Sequence, residues 1–437
     1  MKDPREILDK APMSLLQIVV VGITCILNGI DGFDVLSISF ASNGIATDWG
    51  VTPVALGVVL SMELVGMTIG SIALGGIADS FGRRRTTLFC MSIMAIGMFI
   101  TPFVTSIPQL LVFRVFTGIG LGGLLAAINA MAAEFANQKR RHLCVSIMSI
   151  GYPIGGVIGG LIASQLLIYY SWRSIFYFGG AVTALFIPIV FFIVPESVQW
   201  LIRKQPINAL EKVNAALRRM GHQTVAELPE VTQEARSKTM KDLFSPALIG
   251  ITTVVTFAYF FHIVTYYFIL KWVPRVVSDI MHYSPSEAGN VLVCANIGGA
   301  VGGIVFGLLT LRHSPKILTM GTMAIGALCI AFFGSIPSAS LLYVSLFAGL
   351  CGFFGNPAIV GMFALFAHVF PTHLRASGTG FCVGLGRGAG ILSPIIVGFL
   401  IQSGFQLSTV TALISIGGFI GAAILMFLKM PESEKHG

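Results

Sequence analysis

Two carboxylates three residues apart, Asp31 and Asp34, stand in "LNGIDGFDVLSISF" (27–40), a run that is otherwise oily. Asn28 precedes Asp31 by one helical turn, so all three share nearly one face. Ionised acids in such surroundings are costly unless they face water, pair with a cation, or carry protons. An acid that alternately meets a cation and another carboxylate changes its hold on a proton, and can load it on one side and release it on the other. Arg114 is the cation placed to serve as partner, and Glu63 can join the same network. Asp31, Asp34, Arg114 and Glu63 are therefore the candidate proton-coupling residues. The blander alternative is that one acid wets a cavity or caps a break at Gly32.

A second constellation suits an organic anion. Arg387 lies in "GLGRGAG", where the guanidinium fork can take a carboxylate in bidentate fashion and the flanking glycines let a ligand come close. In "FAYFFHIVTYYFILKW", Tyr259, His262 and Tyr266 fall on one helical face, with Tyr267 adjacent. Such a stripe can stack on an aromatic ring and hydrogen-bond a ring hydroxyl, or it can simply pack helices together. Asn129, Tyr152, Asn296 and Asn356 are further polar candidates for contact with a ligand. The seven cysteines show no CxxC spacing and all lie in apolar runs, so they read as packing residues; no metal and no cofactor is expected.

The elements that must carry these residues are membrane helices. Of 437 residues, 55% are hydrophobic and only 11% charged, and the mean hydropathy is +0.86. Twelve apolar runs recur, at approximately 13–40, 54–78, 86–105, 110–135, 143–169, 172–194, 246–273, 285–309, 317–335, 340–368, 376–402 and 407–429. Each is about as long as the roughly 20 helical residues needed to cross a hydrocarbon core. Lipid gives the backbone no hydrogen-bond partners, which leaves helices or closed barrels, and these runs are too long for barrel strands. At 1.5 Å per residue, Asp31 lies roughly 24 Å along the first span, in the outer half of the membrane. Arg114 lies about 6 Å and Glu63 about 14 Å from the outer ends of their spans, and Arg387 about 16 Å from the inner end of span 11.

Charge sets the orientation. Of 27 Lys and Arg, 22 fall on one side, three on the other (Arg173, Lys271, Arg275), and Arg114 and Arg387 within spans. Cytoplasmic loops carry the excess of such residues, so both termini are expected in the cytoplasm. The net charge of +8 thus reports topology, and no nucleic-acid partner is expected. "MKDPREILDKAP" reads as too polar for a signal peptide. The spans divide six and six: 1–194, a polar linker 195–245, and 246–437. In the linker, Leu210, Val213, Leu217 and Met220 form one stripe ended by Gly221, which predicts a short amphipathic helix. "PES" at 195–197 recurs at 431–433, and "HL" at 142–143 recurs at 373–374, as duplicated halves would have it.

After span 2 comes "GGIADSFGRRR" (75–85). Its Gly75, Asp79, Gly82, Arg83 and Arg84 match in spacing the loop motif of the major facilitator superfamily, and this candidate gating loop follows the span it should. Gly82 permits a sharp reversal, and Asp79 suits a neighbouring helix N-terminus. Together with "DGFD" (31–34), "RVFTGIGLGG" (114–123), "PES" (195–197) and "FPTHLRASGTGFCVGLGRGAG" (370–390), it makes the whole chain resemble the aromatic acid:proton symporter branch. That resemblance implies an all-α membrane protein, twelve transmembrane helices in two pseudo-symmetric six-helix bundles (the major facilitator fold). It also implies proton-coupled uptake of a hydroxybenzoate-like acid across the bacterial inner membrane. The partners expected are an organic anion, protons and the lipid bilayer, and a monomer is expected.

Two other readings stay open. "GYPIGGVIGG" (151–160) is faintly similar to a glycine-proline motif of drug:proton antiporters, which would mean export; a symporter of a non-aromatic carboxylate is the other. "GIGLGG" (118–123) mimics part of a dinucleotide fingerprint, but no strand precedes it, and small residues at that spacing let helices approach. Nucleophile elbows, HExxH and phosphate loops are missing, so an enzyme is not expected.

Overall fold

The computed structural model describes residues 3–229, 243–246, 248–336, 340–370 and 375–428, apart from the side chains of 75–77, 79, 142, 367 and 375–377. The side chain of Asp79, the surroundings of Gly75, and the repeated "HL" and "PES" at 373–374 and 431–433 therefore lie outside what is described.

The described chain is helical. A short α1 (Pro4–Lys10) precedes α2 (Leu15–Trp49), α3 (Pro53–Phe81), α4 (Arg83–Ile100), α5 (Ile107–Phe135), α6 (Arg141–Tyr169) and α7 (Arg173–Ile193). Two short helices follow in the linker, α8 (Val198–Lys204) and α9 (Ala209–Arg219). Then come α10 (Ile249–Asp279), α11 (Pro285–Leu309), α12 (Pro315–Phe333), α13 (Leu341–Val369), α14 (Arg375–Gln402) and α15 (Leu407–Met426). Twelve of the described helices, α2–α7 and α10–α15, are long and apolar enough to cross a bilayer. Prolines 153, 188, 274, 357 and 394 sit inside helices, which membrane helices tolerate when neighbours satisfy the freed carbonyls.

Two helices run further than composition suggests. The first span continues past residue 40 to Trp49, because the polar residues there find partners: Ser42 Oγ donates to Ser39 O (2.7 Å) and Thr47 Oγ1 to Asn43 O (2.9 Å). Span 7 continues past Pro274 to Asp279, and Asn43 Nδ2 donates to the Pro274 carbonyl at 3.1 Å.

The chain forms two compact units. The first contains Met1–Ser37, Val65–Gly156 and Arg173–Glu234; the second contains Ile38–Leu64, Val157–Trp172 and Ala235–Gly437. In the first unit α2 and α6 meet backbone to backbone, since a Cβ on Gly155 would overlap the Gly29 carbonyl. The glycines of "GIGLGG" belong to the contact of α5 with α3 and α4: a Cβ on Gly122 would overlap Met67 O, and one on Gly120 would lie 2.8 Å from Cys90 O. The linker helix α9 is amphipathic and buries Val213, Ala216 and Leu217. Beside it His222 Nε2 lies 3.0 Å from Gln17 Oε1, and Arg219 donates to Phe192 O and Ile193 O. In the second unit α10 and α12–α15 pack around an apolar core that includes Tyr259, Met323, Phe366 and Cys382.

Candidate functional site

Asp31 and Asp34 are fully buried in α2, and Asn28 nearly so. Their helix lies tight on α6, where a Cβ on Gly32 would overlap the Tyr152 carbonyl and Asn28 Nδ2 donates to Met148 O at 2.8 Å. The Asp34 carboxylate faces α7: a Cβ on Gly179 would lie 3.1 Å from Asp34 Oδ1 and would overlap the Met98 methyl. Arg114, fully buried in α5, reaches the same place. Its Nη1 lies 3.5 Å from Met98 Sδ, and its guanidinium sits 5.2 Å from the ring centroid of Phe176, one turn before Gly179. Met98 thus touches both sides of an acid–guanidinium neighbourhood with no exposed surface. Of the three escapes from the cost of a buried charge, this setting fits a cation neighbour and proton occupancy better than open water. Glu63 is fully buried in α3 and belongs to the second unit.

The loop after span 2 is clamped by two acids. Gly82 has φ +105°, a conformation that favours glycine. A Cβ there would lie 2.7 Å from the Glu196 carboxyl carbon. Glu196 Oε1 accepts from the backbone N–H of Arg83 (2.7 Å), Arg84 (3.2 Å) and Ser197 (3.0 Å). Burial pushes the Glu196 carboxyl above its ordinary value, outweighing those three N–H groups and the charge of Arg83. The Arg83 guanidinium pairs with Glu134 at the end of α5 (Nη2–Oε1 2.9 Å, Nε–Oε1 3.1 Å) and donates from Nη1 to Ala78 O at 2.8 Å. Arg84 donates to Phe191 O and lies over the Phe191 ring. Sequence reading quoted "PES" without seeing that its glutamate caps the loop. It missed Glu134 altogether, for which an acid in the last turn of span 4 beside a basic loop was the available signal.

In the second unit Arg387 is half-buried on α14, with rings seated on glycines to either side. The Tyr259 ring covers Gly386, which has no room for a side chain, and a Cβ on Gly390 would lie 3.0 Å from Tyr267 Cε1. Nothing approaches within 4 Å of the Cβ directions of Gly384 and Gly388, so α14 keeps an open side beside the arginine. Tyr259 also meets Phe366 edge-on at 5.7 Å. His262 and Tyr266 are buried, stacked at 6.0 Å; His262 Nε2 lies 3.0 Å from Gly355 O and the Tyr266 ring covers Gly355 of α13. Asn296 Nδ2 donates to Leu292 O within its own helix, and Asn356 Nδ2 to Gly299 O at 2.9 Å. In the first unit Asn129 is exposed and Tyr152 half-buried. Tyr267, noted in sequence only as a neighbour of the stripe, is the tyrosine that shares the Arg387 segment with Tyr259.

The sequence profile of the Major Facilitator Superfamily matches residues 24–394 and again 255–437. The chain belongs to that superfamily. A gallate transporter of Pseudomonas putida is 28% identical over 429 residues, covering 97% of this chain and 94% of that one. The 4-hydroxybenzoate transporter PcaK of Acinetobacter baylyi is 29% identical over 437 residues, covering 98% and 94%. Among solved structures, the partially occluded inward open xylose transporter XylE of E. coli superposes with a TM-score of 0.76 at 18% identity, over 96% of this chain and 100% of that one. The family assignment and the twelve-helix fold expected from the sequence agree with these findings. The protein is an integral membrane transporter rather than an enzyme.

Proposed function

We propose that the protein imports a hydroxybenzoate-like aromatic carboxylate together with protons, by alternating access, across a bacterial inner membrane with both termini in the cytoplasm. The observation that carries this reading is the setting of Arg387: a guanidinium on a glycine-rich helix with an open side, flanked by two tyrosine rings. The guanidinium matches a carboxylate, and the rings match an aromatic face. The gallate and 4-hydroxybenzoate transporters supply the ligand class. Tyr259 and Tyr267 are the first candidates to meet the ring; His262, Tyr266, Asn129, Tyr152, Asn296 and Asn356 are secondary. Asp31 and Asp34 carry the coupling proton, with Arg114 beside them and Glu63 as a further acid. The loop at Gly75–Arg84 acts as a gating element, and the working unit is a monomer. Export is the weaker reading, because its motif loses an independent role: Gly151 and Gly155 are accounted for by close packing on α2.

The test is uptake of labelled 4-hydroxybenzoate into energised vesicles, challenged by benzoate, gallate, phenylpropanoids, muconate and a non-aromatic acid. Accumulation should collapse with the proton gradient, the hydroxylated benzoates should compete best, and Arg387→Ala should abolish binding. Gradient-independent uptake rules out coupling, and unchanged binding by Arg387→Ala rules out the carboxylate assignment.

A further inference from the structure

In the second unit α3 and α10 flank one stretch of α14 and touch it at two levels. At the first, a Cβ on Gly390 would lie 3.3 Å from Leu64 Cδ1 and 3.0 Å from Tyr267 Cε1. At the second, the Pro394 carbonyl accepts from Trp272 Nε1 at 3.0 Å and leaves no room for a side chain on Gly57. The levels are one helical turn apart on α14, about 6 Å. Glu63 lies on α3 between Gly57 and Leu64, and Lys271 lies on α10 between Tyr267 and Trp272, so the two share this layer. Both are fully buried, although composition placed Lys271 outside its span. The flexible four-carbon stem of a lysine spans a gap of this size. A buried carboxylate and a buried ammonium in one layer each offset the other's desolvation.

The other charged groups described on the unit's spans sit at helix ends. Arg275 pairs with Asp279, Asp48 accepts from Trp172 Nε1, Glu287 accepts from the Ser284 N–H, and Lys316 Nζ donates to Leu428 O. His262 is neutral: its Nε2 donates to Gly355 O, and its buried Nδ1 meets no acceptor among the described residues, which an imidazolium would need. Mid-span, the described residues of the unit therefore count two cations, Lys271 and Arg387, against one acid, Glu63.

We infer that Glu63 is the counter-ion of Lys271, and that this buried pair makes the second unit select a monoanion. With Glu63 matched to Lys271, the mid-span charge sums to one positive charge, which a single carboxylate neutralises. A dianion of the same shape brings a second charge into an interior that has nothing to balance it, and an unbalanced charge there is costly. Glu63 and Lys271 are thus positioning residues that set charge selectivity without touching the solute. The pair stands on the geometry alone; the monoanion rule rests on the proposed role of Arg387.

Two measurements test it, and the first needs no substrate. In lipid nanodiscs Lys271→Met and Glu63→Gln should each lower the melting temperature by at least about 5 °C, because each leaves one buried charge without its match. The double variant, with both replacements, should recover at least half of that loss. If it melts no higher than the less stable single variant, there is no pair. The second measurement uses two probes of nearly one shape: terephthalate, a dianion at neutral pH, and its monoamide 4-carbamoylbenzoate, a monoanion. Each competes against labelled 4-hydroxybenzoate in equilibrium binding. The parent should favour the monoamide at least tenfold, and Glu63→Gln should cut that preference at least tenfold, since Lys271 then balances the second carboxylate. Glu63→Gln with Lys271→Arg should do the same, because a guanidinium keeps its charge where a buried ammonium can lose it. The neutral double variant should return to the parent preference. One preference shared by all four proteins overturns the monoanion rule. If the parent binds neither 4-hydroxybenzoate nor either probe, the substrate reading fails and the monoanion rule with it, while the melting series still decides the pair.

Discussion

Replacing Glu134 with alanine removes a carboxylate from the Arg83 guanidinium at the start of α4. The side chains are 7% and 13% exposed, and Nη2 and Nε of Arg83 both point at Glu134 Oε1, at 2.9 and 3.1 Å. Removing one partner of a buried pair costs about 3–5 kcal/mol, because the remaining charge stays desolvated. The other contacts of Arg83, its Nη1 bond to Ala78 O among them, and the slight exposure place this case near the lower end, at about 3 kcal/mol. Glu134→Gln keeps an acceptor of the same shape and loses only the charge, for which about 1–2 kcal/mol is expected. Unfolding of the protein in lipid nanodiscs, followed by tryptophan fluorescence across a denaturant series, reads these differences. A double-mutant cycle with Arg83→Ala isolates the pair: the double variant should be less destabilised than the two single losses together, by at least about 1 kcal/mol. If Glu134→Ala falls within about 0.5 kcal/mol of the parent, the scale of an ordinary surface substitution, the pair does not hold the loop and the argument is wrong.

Other outcomes follow from the same geometry. Gly155→Ala forces a methyl into the Gly29 backbone and should cost about 1–3 kcal/mol as overpacking, read in the same unfolding assay; no change would mean that α2 and α6 do not meet there. Asp31→Asn and Asp34→Asn should each abolish gradient-driven accumulation, and full accumulation by both variants would sink the coupling assignment. Glu196 is held above its ordinary value, so between about 4.5 and that raised value the folded protein binds more protons than the unfolded chain. Its contribution to stability is greatest at acid pH and falls as pH rises through that window. The stability of the parent relative to Glu196→Gln should therefore decline as the pH rises above about 4.5, and a rising difference would show the sign to be wrong.

Much of this was legible in the linear chain because lipid imposes strong local rules. An apolar run long enough to span must be helical, and Asp31, Asp34, Arg114 and Arg387 stand out because charge is expensive there. The reading failed where polarity has a distant partner. Ser42, Asn43 and Asp48 look like a loop after span 1, yet the helix continues, since Asn43 reaches Pro274 and Asp48 accepts from Trp172 Nε1 at 2.8 Å. Lys271, Pro274 and Arg275 gave span 7 the same false ending.

The six-and-six division follows the order of the chain, whereas compactness follows contacts. The segments 38–64 and 157–172 are grouped with the second half because their helix ends pack on α10, α11 and α14.

What the sequence determined by itself was every property set by local composition: helix type, the number of spans, the sidedness of charge, and which ionisable groups would need an explanation. Tertiary structure alone decided which of them meet. Glu134 and Glu196 closing on the Gly82 loop, Tyr259 and Tyr267 covering the glycines around Arg387, and α3 touching α14 at Gly57 and Gly398 all join residues more than fifty positions apart. Hydropathy averages over neighbours in the chain, but a glycine's lack of a side chain matters only through what stands opposite it.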